Sequence, residues 1–597
     1  MRSARIPLLA DIGLAALAGL VSMGLGVVAL RISFGEIGQP WLTGGDDQIL
    51  HYLLFTSATD AFPFGSNVQL GFPEQLDLFF TAQVDVASAI GISLIGLFVD
   101  DGILLLNLFH IVGFFAIACT GYFFLRALRV RPTVSLFFAV VLSIAPFHFQ
   151  RIAMGHGFLA NYWSVPLIGV LILMAAGNST NPFVSWAERA KTARGRAIRM
   201  AIPAIVLCLL VASSGSYYFV FAVIVVGGVW LFSSVASRLR AEPWTALLWP
   251  TITTFLLAGL VGIELFVLSL NFGERYSPYF ADRALSESEY YAGKITSLLF
   301  PWQGTGFPSL KSFTADYNTA TGVLLSTEPP GSSIVTSAAM VLIVATILIS
   351  VVLGTGAKNS RLAAWVRDPR VSAVSIAFMW TLLFFVVTGL GAVVAVIVGP
   401  EIRAWSRLGV VLVMLATAFG ALIFNEITDR YRLNLVALIV LAPIVLVDQV
   451  VGVSAQLPIS ATPDDEMRSF VAAADKELDD GCGVVQLPLK SFPDSGKIGA
   501  MNDYDAALPY LFTQDNNLKW SYGAVGGTYS WDYWRTVDSA ELFEAAVDDS
   551  EACAIEVDLN GYTESVGDWE EWVDRVADAG EPTTVSSTGR YLLFEVP

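Results

Sequence analysis

The chain has 597 residues, 55% of them apolar and only 14% charged, with a mean hydropathy of +0.63. Soluble chains carry about 25% charged residues, so an entirely water-soluble protein is excluded. The net charge of −18 is uneven: residues 455–597 hold 28 Asp and Glu against 8 Lys and Arg. No nucleic-acid partner is expected of so acidic a chain.

Arg2 and Arg5 precede an apolar stretch over 6–30. It is too long for the apolar part of a signal peptide, so it reads as an uncleaved first span with the N-terminus in the cytoplasm. Further runs of about 20 apolar residues, each able to cross the hydrocarbon, predict a polytopic α-helical membrane protein. Eleven spans are expected, at 6–30, 102–125, 133–147, 162–177, 200–214, 217–236, 244–270, 334–354, 372–398, 408–425 and 433–453. Lys and Arg gather in alternate connections, at 126–131, 189–199, 238–240, 358–370 and 430–432. Such loops face the cytoplasm.

Residues 78–98 are apolar enough to span, but counting them would put Arg126, Arg129 and Arg131 outside and Asp85 in lipid. A carboxylate there costs about 2.5–3.5 kcal/mol. The segment is therefore read as a juxtamembrane helix at the outer face. Loops 31–101 and 271–333, the turn 148–161 and the C-terminal part then share the outer side.

Outer loop 31–101 carries the pair Asp46-Asp47 behind Gly44-Gly45. Adjacent carboxylates can serve as a base or hold a divalent metal ion; capping of the helix over 47–58 is the plain alternative for one of them. Glu74 and Asp77, expected at a helix start, and Asp85 are further acids. The turn 146–166 holds His148, Arg151 and His156. Arg151 suits bidentate phosphate binding, and the histidines suit hydrogen bonding, while their spacing is not that of a zinc site. Lys294 lies in loop 271–333. Arg403 and Arg407, four apart, are expected on one helical face at the outer rim, where they suit a lipid phosphate or simple snorkelling.

Residues 455–597 form the predicted second domain, acidic and mixed α/β. Strands are expected at 482–488, 553–559 and from Tyr591, with helices at 464–478, 538–548 and 567–579. Cys119 and Cys208 fall within spans. Cys482 and Cys553 each open a predicted strand, and would form a disulfide if those strands are neighbours; two buried thiols are the alternative.

In layout, residues 1–454 resemble the bacterial GT-C type membrane glycosyltransferases. The likeness rests on Gly45-Asp46-Asp47-Gln48, Asn107-Leu-Phe-His110, Pro146-Phe-His148-Phe-Gln-Arg151 with Gly155-His156, Ser213-Ser-Gly215-Ser-Tyr217-Tyr218, and Arg403-Ala-Trp-Ser-Arg407. The resemblance implies a GT-C-like fold and inverting transfer of a sugar from a polyprenyl-phosphate donor. The acceptor would be an envelope glycan, lipid or protein on the outer side of the plasma membrane. It makes Asp46 or Asp47 the base and Arg403 or Arg407 a phosphate contact. A lipid-linked sugar flippase and a membrane-anchored envelope assembly protein are the alternatives.

Overall fold

The computed structural model describes residues 8–42, 47–60, 65–77, 85–99, 101–276, 284–321, 332–353, 360–400, 402–431, 433–461, 464–493, 495–513, 517–524, 529–563, 569–577 and 581–597. Asp46 lies outside them. Among the described residues, nine helices are long and apolar enough to cross a membrane. Each of the eleven expected spans coincides with a helix. Two of these, Val165–Ala176 and Pro369–Phe385, fall short of the length of a full crossing.

Lipid is as apolar as leucine, so the bundle is held by close packing more than by water exclusion. The first helix, Leu8–Leu30, meets Gly102–Ala127 through small residues: Ala15 and Ala18 are buried, and Gly19 and Gly26 lie against the rings of Phe115 and Phe114. The core continues through Phe138, Leu171, Val225 and Phe419.

The two ends of the bundle differ in chemistry. At one end Arg126 pairs with Asp11 at 2.9 Å, the Arg131 amide donates to Asn425, and Arg370 donates to the Leu128 carbonyl. From Arg407 to Asn425 the chain climbs about 27 Å at 1.5 Å per residue. Arg407 therefore lies at the opposite end.

Residues 85–99 form an 11-residue helix, Val86–Gly96, too short to span. Asp85 caps it, accepting from the Ser88 amide at 2.9 Å. Glu74 and Asp77 do not start a helix: Leu76–Asp77 is a short strand paired with Ser66–Asn67. Residues 284–321 dock through Thr305 Oγ1 on Asp448 Oδ1 (2.8 Å) and Trp302 Nε1 on the Asp448 carbonyl (2.7 Å).

The C-terminal part holds a five-stranded mixed sheet. Gly483–Leu487 is parallel to both Lys519–Trp520 and Ala554–Asp558, and Tyr591–Glu595 runs antiparallel to the latter. Gly483–Leu487 and Ala554–Asp558 are wholly buried, so the polar residues they carry, Gln486, Glu556 and Asp558, are buried with them. Cys482 and Cys553 sit side by side at the heads of these strands, bonded as a disulfide with Cα atoms 5.7 Å apart.

The sheet packs Val485, Ile555 and Phe594 into an apolar cluster with Phe543, Val547 and Val573 of its own segment, and shares a second cluster with residues far earlier in the chain. Leu53, Phe55, Leu70 and Leu76, between the first two long helices, share one apolar cluster with Met467, Val484, Trp520 and Leu593. Leu70–Phe72 runs beside Trp520, exchanging backbone bonds of 2.8 to 3.1 Å through Gln69, Phe72 and Trp520. Gly483 is required there, since a Cβ would sit 2.2 Å from the Phe72 ring. Trp41-Leu42 also pairs with Ser460-Ala461.

Candidate functional site

The chain segment before residue 43 is pinned from two sides. Tyr52 accepts from the Trp41 amide at 2.8 Å and donates to Asn107 Oδ1 at 2.7 Å. Asn107 in turn donates to the carbonyls of Ile37 and Gln39. Asp47 then opens the helix Asp47–Asp60. Its carbonyl takes the Nδ1–H of His51, one turn on, at 2.7 Å.

The opposing wall is the helix Pro146–Ala153, begun by a proline at its first turn, where no amide is needed. After it, Gly155 has a φ of +76° and lies so close to Asp47–Asp60 that a Cβ would stand 2.5 Å from the Gln48 amide nitrogen. Both facts demand glycine, and together they turn His156 toward Asp47. His156 Nε2 is 2.9 Å from Asp47 Oδ2. Arg151 Nη1 is 3.1 Å from His156 Nδ1.

These two contacts fix the state of the ring. A guanidinium only donates, so Nδ1 is the acceptor and Nε2 carries the proton. His156 is then a neutral imidazole donating to an ionised Asp47. Burial lowers the His156 pKa, and the Arg151 and Arg407 charges add to that, outweighing the Asp47 hydrogen bond. For Asp47, burial pushes the carboxyl up, but the His156 bond and the His51 and Arg407 charges hold it below the usual value. Asp47 remains 41% exposed and His156 12%.

Arg407 comes from the 3₁₀ turn Trp405–Leu408. Its guanidinium lies 4.3 Å from the Tyr217 ring centroid, a cation–π contact. The Ser406 amide donates to the Tyr291 carbonyl at 3.0 Å, anchoring the turn to the segment 284–321.

Of the expected site residues, Asp47, His156, Arg151 and Arg407 come together. Three expectations need correction. Arg403 and Arg407 do not share a helical face, because residues 402–404 are irregular and Arg403 pairs with Glu287 at 3.2 Å. Arg151 is only 2% exposed, beneath Phe147 and His156, so it supports the histidine instead of gripping a phosphate at the surface. His148 is fully buried, donating from Nδ1 to the Ser143 carbonyl and stacked 3.8 Å from Phe114, so it lies behind the site. Lys294 precedes the short helix Ile295–Leu299, next to Gly293, whose amide bonds the Phe385 carbonyl. Asp85 is buried against the turn at Gly215, and burial pushes its carboxyl up to about 7.

His51 and His110 were not expected. All four histidines of the chain gather here. A Cβ on Gly157 would touch both His51 and His110, and one on Gly113 would touch His148. His110 stacks on Trp41 at 5.9 Å. The available signal was spacing: His51 is one turn from Asp47, and His110 is three residues from Asn107. Among the described residues, no three His, Cys, Asp or Glu side chains converge as a metal-ion site.

No family model and no curated protein matches the chain. Among solved structures it is similar to the Archaeoglobus fulgidus oligosaccharyltransferase in three states. The apo form is 12% identical, with a TM-score of 0.46 over 92% of this chain and 69% of that one. The complex with Zn and sulfate is 13% identical, with a TM-score of 0.44 over 98% and 74%. The form tethered to an acceptor peptide containing the NVT sequon is 11% identical, with a TM-score of 0.46 over 99% and 74%.

Proposed function

We propose that the chain is a membrane glycosyltransferase. It moves a sugar from a polyprenyl-phosphate donor to an envelope glycan, lipid or protein on the outer side of the plasma membrane. The observation that carries this reading is an ionised, part-exposed Asp47 held by neutral His156 within the field of Arg407. The basic end of the bundle, about 27 Å away, is read as cytoplasmic because positive charge favours that side.

In this reading the acceptor hydroxyl donates to the Asp47 carboxylate. Its oxygen forms a bond to the anomeric carbon as the bond from that carbon to the phosphate oxygen breaks. The electron pair leaves with the phosphate, where Arg407 offsets the growing charge. The hydroxyl proton passes to Asp47. Attack from the face opposite the phosphate inverts the anomeric carbon. His156 and Arg151 position Asp47 without touching substrate. Arg403 and Lys294 are proposed as outer contacts to the donor.

A divalent ion at Asp46 and Asp47 is a further element of the proposal. Asp47 supplies one carboxylate and the described residues bring no further ligand set to it, so no step is routed through metal.

The test is the pool of lipid-linked sugars in cells lacking the protein. A transferase defect makes a polyprenyl-phosphate sugar accumulate, and wild type, but not Asp47→Asn, clears it. An unchanged pool would overturn the reading.

A further inference from the structure

The connection 178–199 carries charge of nearly one sign: Arg189, Lys191, Arg194, Arg196 and Arg199 stand against one acid, Glu188. The structure folds it into a fixed surface. Arg199 Nη1 donates to the Trp186 carbonyl at 2.9 Å, and its guanidinium lies 5.4 Å from the Trp186 ring centroid. Thr192 caps the helix Ala193–Ala212, accepting from the Gly195 amide at 3.0 Å. A Cβ on Gly195 would stand 3.2 Å from the Ala190 Cβ. Arg189 and Lys191 flank Ala190, and Arg194 and Arg196 flank Gly195, so this one close approach gathers four cations.

All four are exposed, and none has an ion-pair partner among the described residues. Arg194 and Arg196 also lie in the first turn of their helix, where the aligned amides already present positive charge and acids are favoured. That turn holds no acid. Helix stability therefore does not account for the cluster, and an anion brought to it does.

A source of anions adjoins the patch. Ile198, Ile202, Ile205 and Leu209 are exposed along one flank of the helix, opposite Ala204, Cys208 and Val211 in the core. Arg194 is four residues before Ile198 and shares its flank, so it stands where the apolar stripe ends. Trp186, 39% exposed, belongs to the residue type that settles at a membrane surface. The far end of the helix, about 30 Å away, is tied by the Ser213 carbonyl to the Ala87 amide, beside Asp85.

We propose that this patch binds the headgroup of an anionic phospholipid of the adjoining leaflet, with its acyl chains along Ile198, Ile202, Ile205 and Leu209. Clustered Lys and Arg at the start of a membrane helix attract anionic lipid. Here the Ala190–Gly195 contact holds them in one place, unlike the scattered positive charge common to cytoplasmic loops. The proposal does not rest on sugar transfer.

The full-length protein is equilibrated with equal amounts of phosphatidylglycerol and phosphatidylcholine carrying the same acyl chains, and retained lipid is read by native mass spectrometry after stepwise delipidation. Wild type is expected to retain phosphatidylglycerol about fivefold or more over phosphatidylcholine. Lys191→Gln/Arg194→Gln/Arg196→Gln, all at exposed positions, brings the ratio near one. Arg129→Gln/Arg240→Gln/Arg361→Gln removes three exposed cations elsewhere at the basic end and keeps most of the preference. Equal retention of both lipids by wild type, the outcome if the patch serves a soluble anion, overturns the proposal. Equal losses in the two triple variants overturn it as well, since the preference would then follow total charge and not this patch.

Discussion

His156 Nε2 stands 2.9 Å from Asp47 Oδ2, joining the start of the Asp47–Asp60 helix to the turn behind the Pro146–Ala153 helix. Arg151 on the other ring nitrogen makes this a neutral histidine holding an ionised carboxylate. The proposed base and its support thus come from segments more than a hundred residues apart.

That support sets the pH dependence. The Asp47 carboxyl lies below its ordinary value of 3.8 in the folded protein. Its contribution to stability is therefore present above the unfolded value and is lost as pH falls through the folded one. The base form persists across neutral and mildly acidic pH. His156→Ala leaves burial unopposed by that bond, so the acid limb of kcat/KM moves to higher pH. The rate at pH 7 falls about 10- to 100-fold. A pH–rate profile of both proteins checks this, and an unmoved acid limb would show that His156 does not act on Asp47.

Arg407 faces the leaving group in the proposed reaction. Arg407→Gln is expected to lower kcat about 10²- to 10³-fold, the scale of losing one charged contact to a developing anion. Arg407→Lys keeps the charge and recovers part of it. Arg403→Gln, whose partner is Glu287, has a smaller effect. Steady-state kinetics on the three variants rank the two arginines.

The sheet shares one of its two apolar clusters with residues 47–77, so part of the acidic segment's stability comes from there. Trp520 is fully buried between them. Trp520→Ala is expected to cost about 3–5 kcal/mol, read as a lowered midpoint of protease resistance in the C-terminal part. Residues 455–597 expressed alone keep the cluster around Phe543 and Val573 but lack Leu53, Phe55 and Leu70, and are expected to be less stable than in the full chain.

Glu556 adds a pH term of opposite sign. Burial, then the Asp558 charge, push its carboxyl from 4.5 up to about 8. A raised folded value means that its contribution is fully present below 4.5 and is lost as pH climbs through about 8. The C-terminal sheet therefore melts at lower temperature at pH 9 than at pH 5. Glu556→Gln removes this slope, which tryptophan fluorescence melts at several pH values would measure.

Much of this was legible in the residues. Charges at a lipid boundary are rare, so Asp47, His156 and Arg407 stood out before any fold was known. The short apolar-rich runs at 483–487 and 554–558, each headed by a cysteine, marked the two central strands. Burial was less legible. Residues 146–153 carry His148, Gln150 and Arg151 and read as a surface turn, yet they form a packed helix. The arginine therefore meets a histidine and not a phosphate. His51 and His110 gain their place only because Gly157 lets two helices close on them. The Leu70–Phe72 edge, which ties the loop to the sheet, has no periodic pattern to announce it.

The central claim is that Asp47 is the base of a glycosyl transfer. The most direct test is the envelope glycan profile of cells lacking the protein, rescued by wild type or by Asp47→Asn at matched protein levels. The account predicts a missing sugar that returns with wild type and stays absent with Asp47→Asn, a loss of about 10²-fold or more. Full restoration by Asp47→Asn would contradict it.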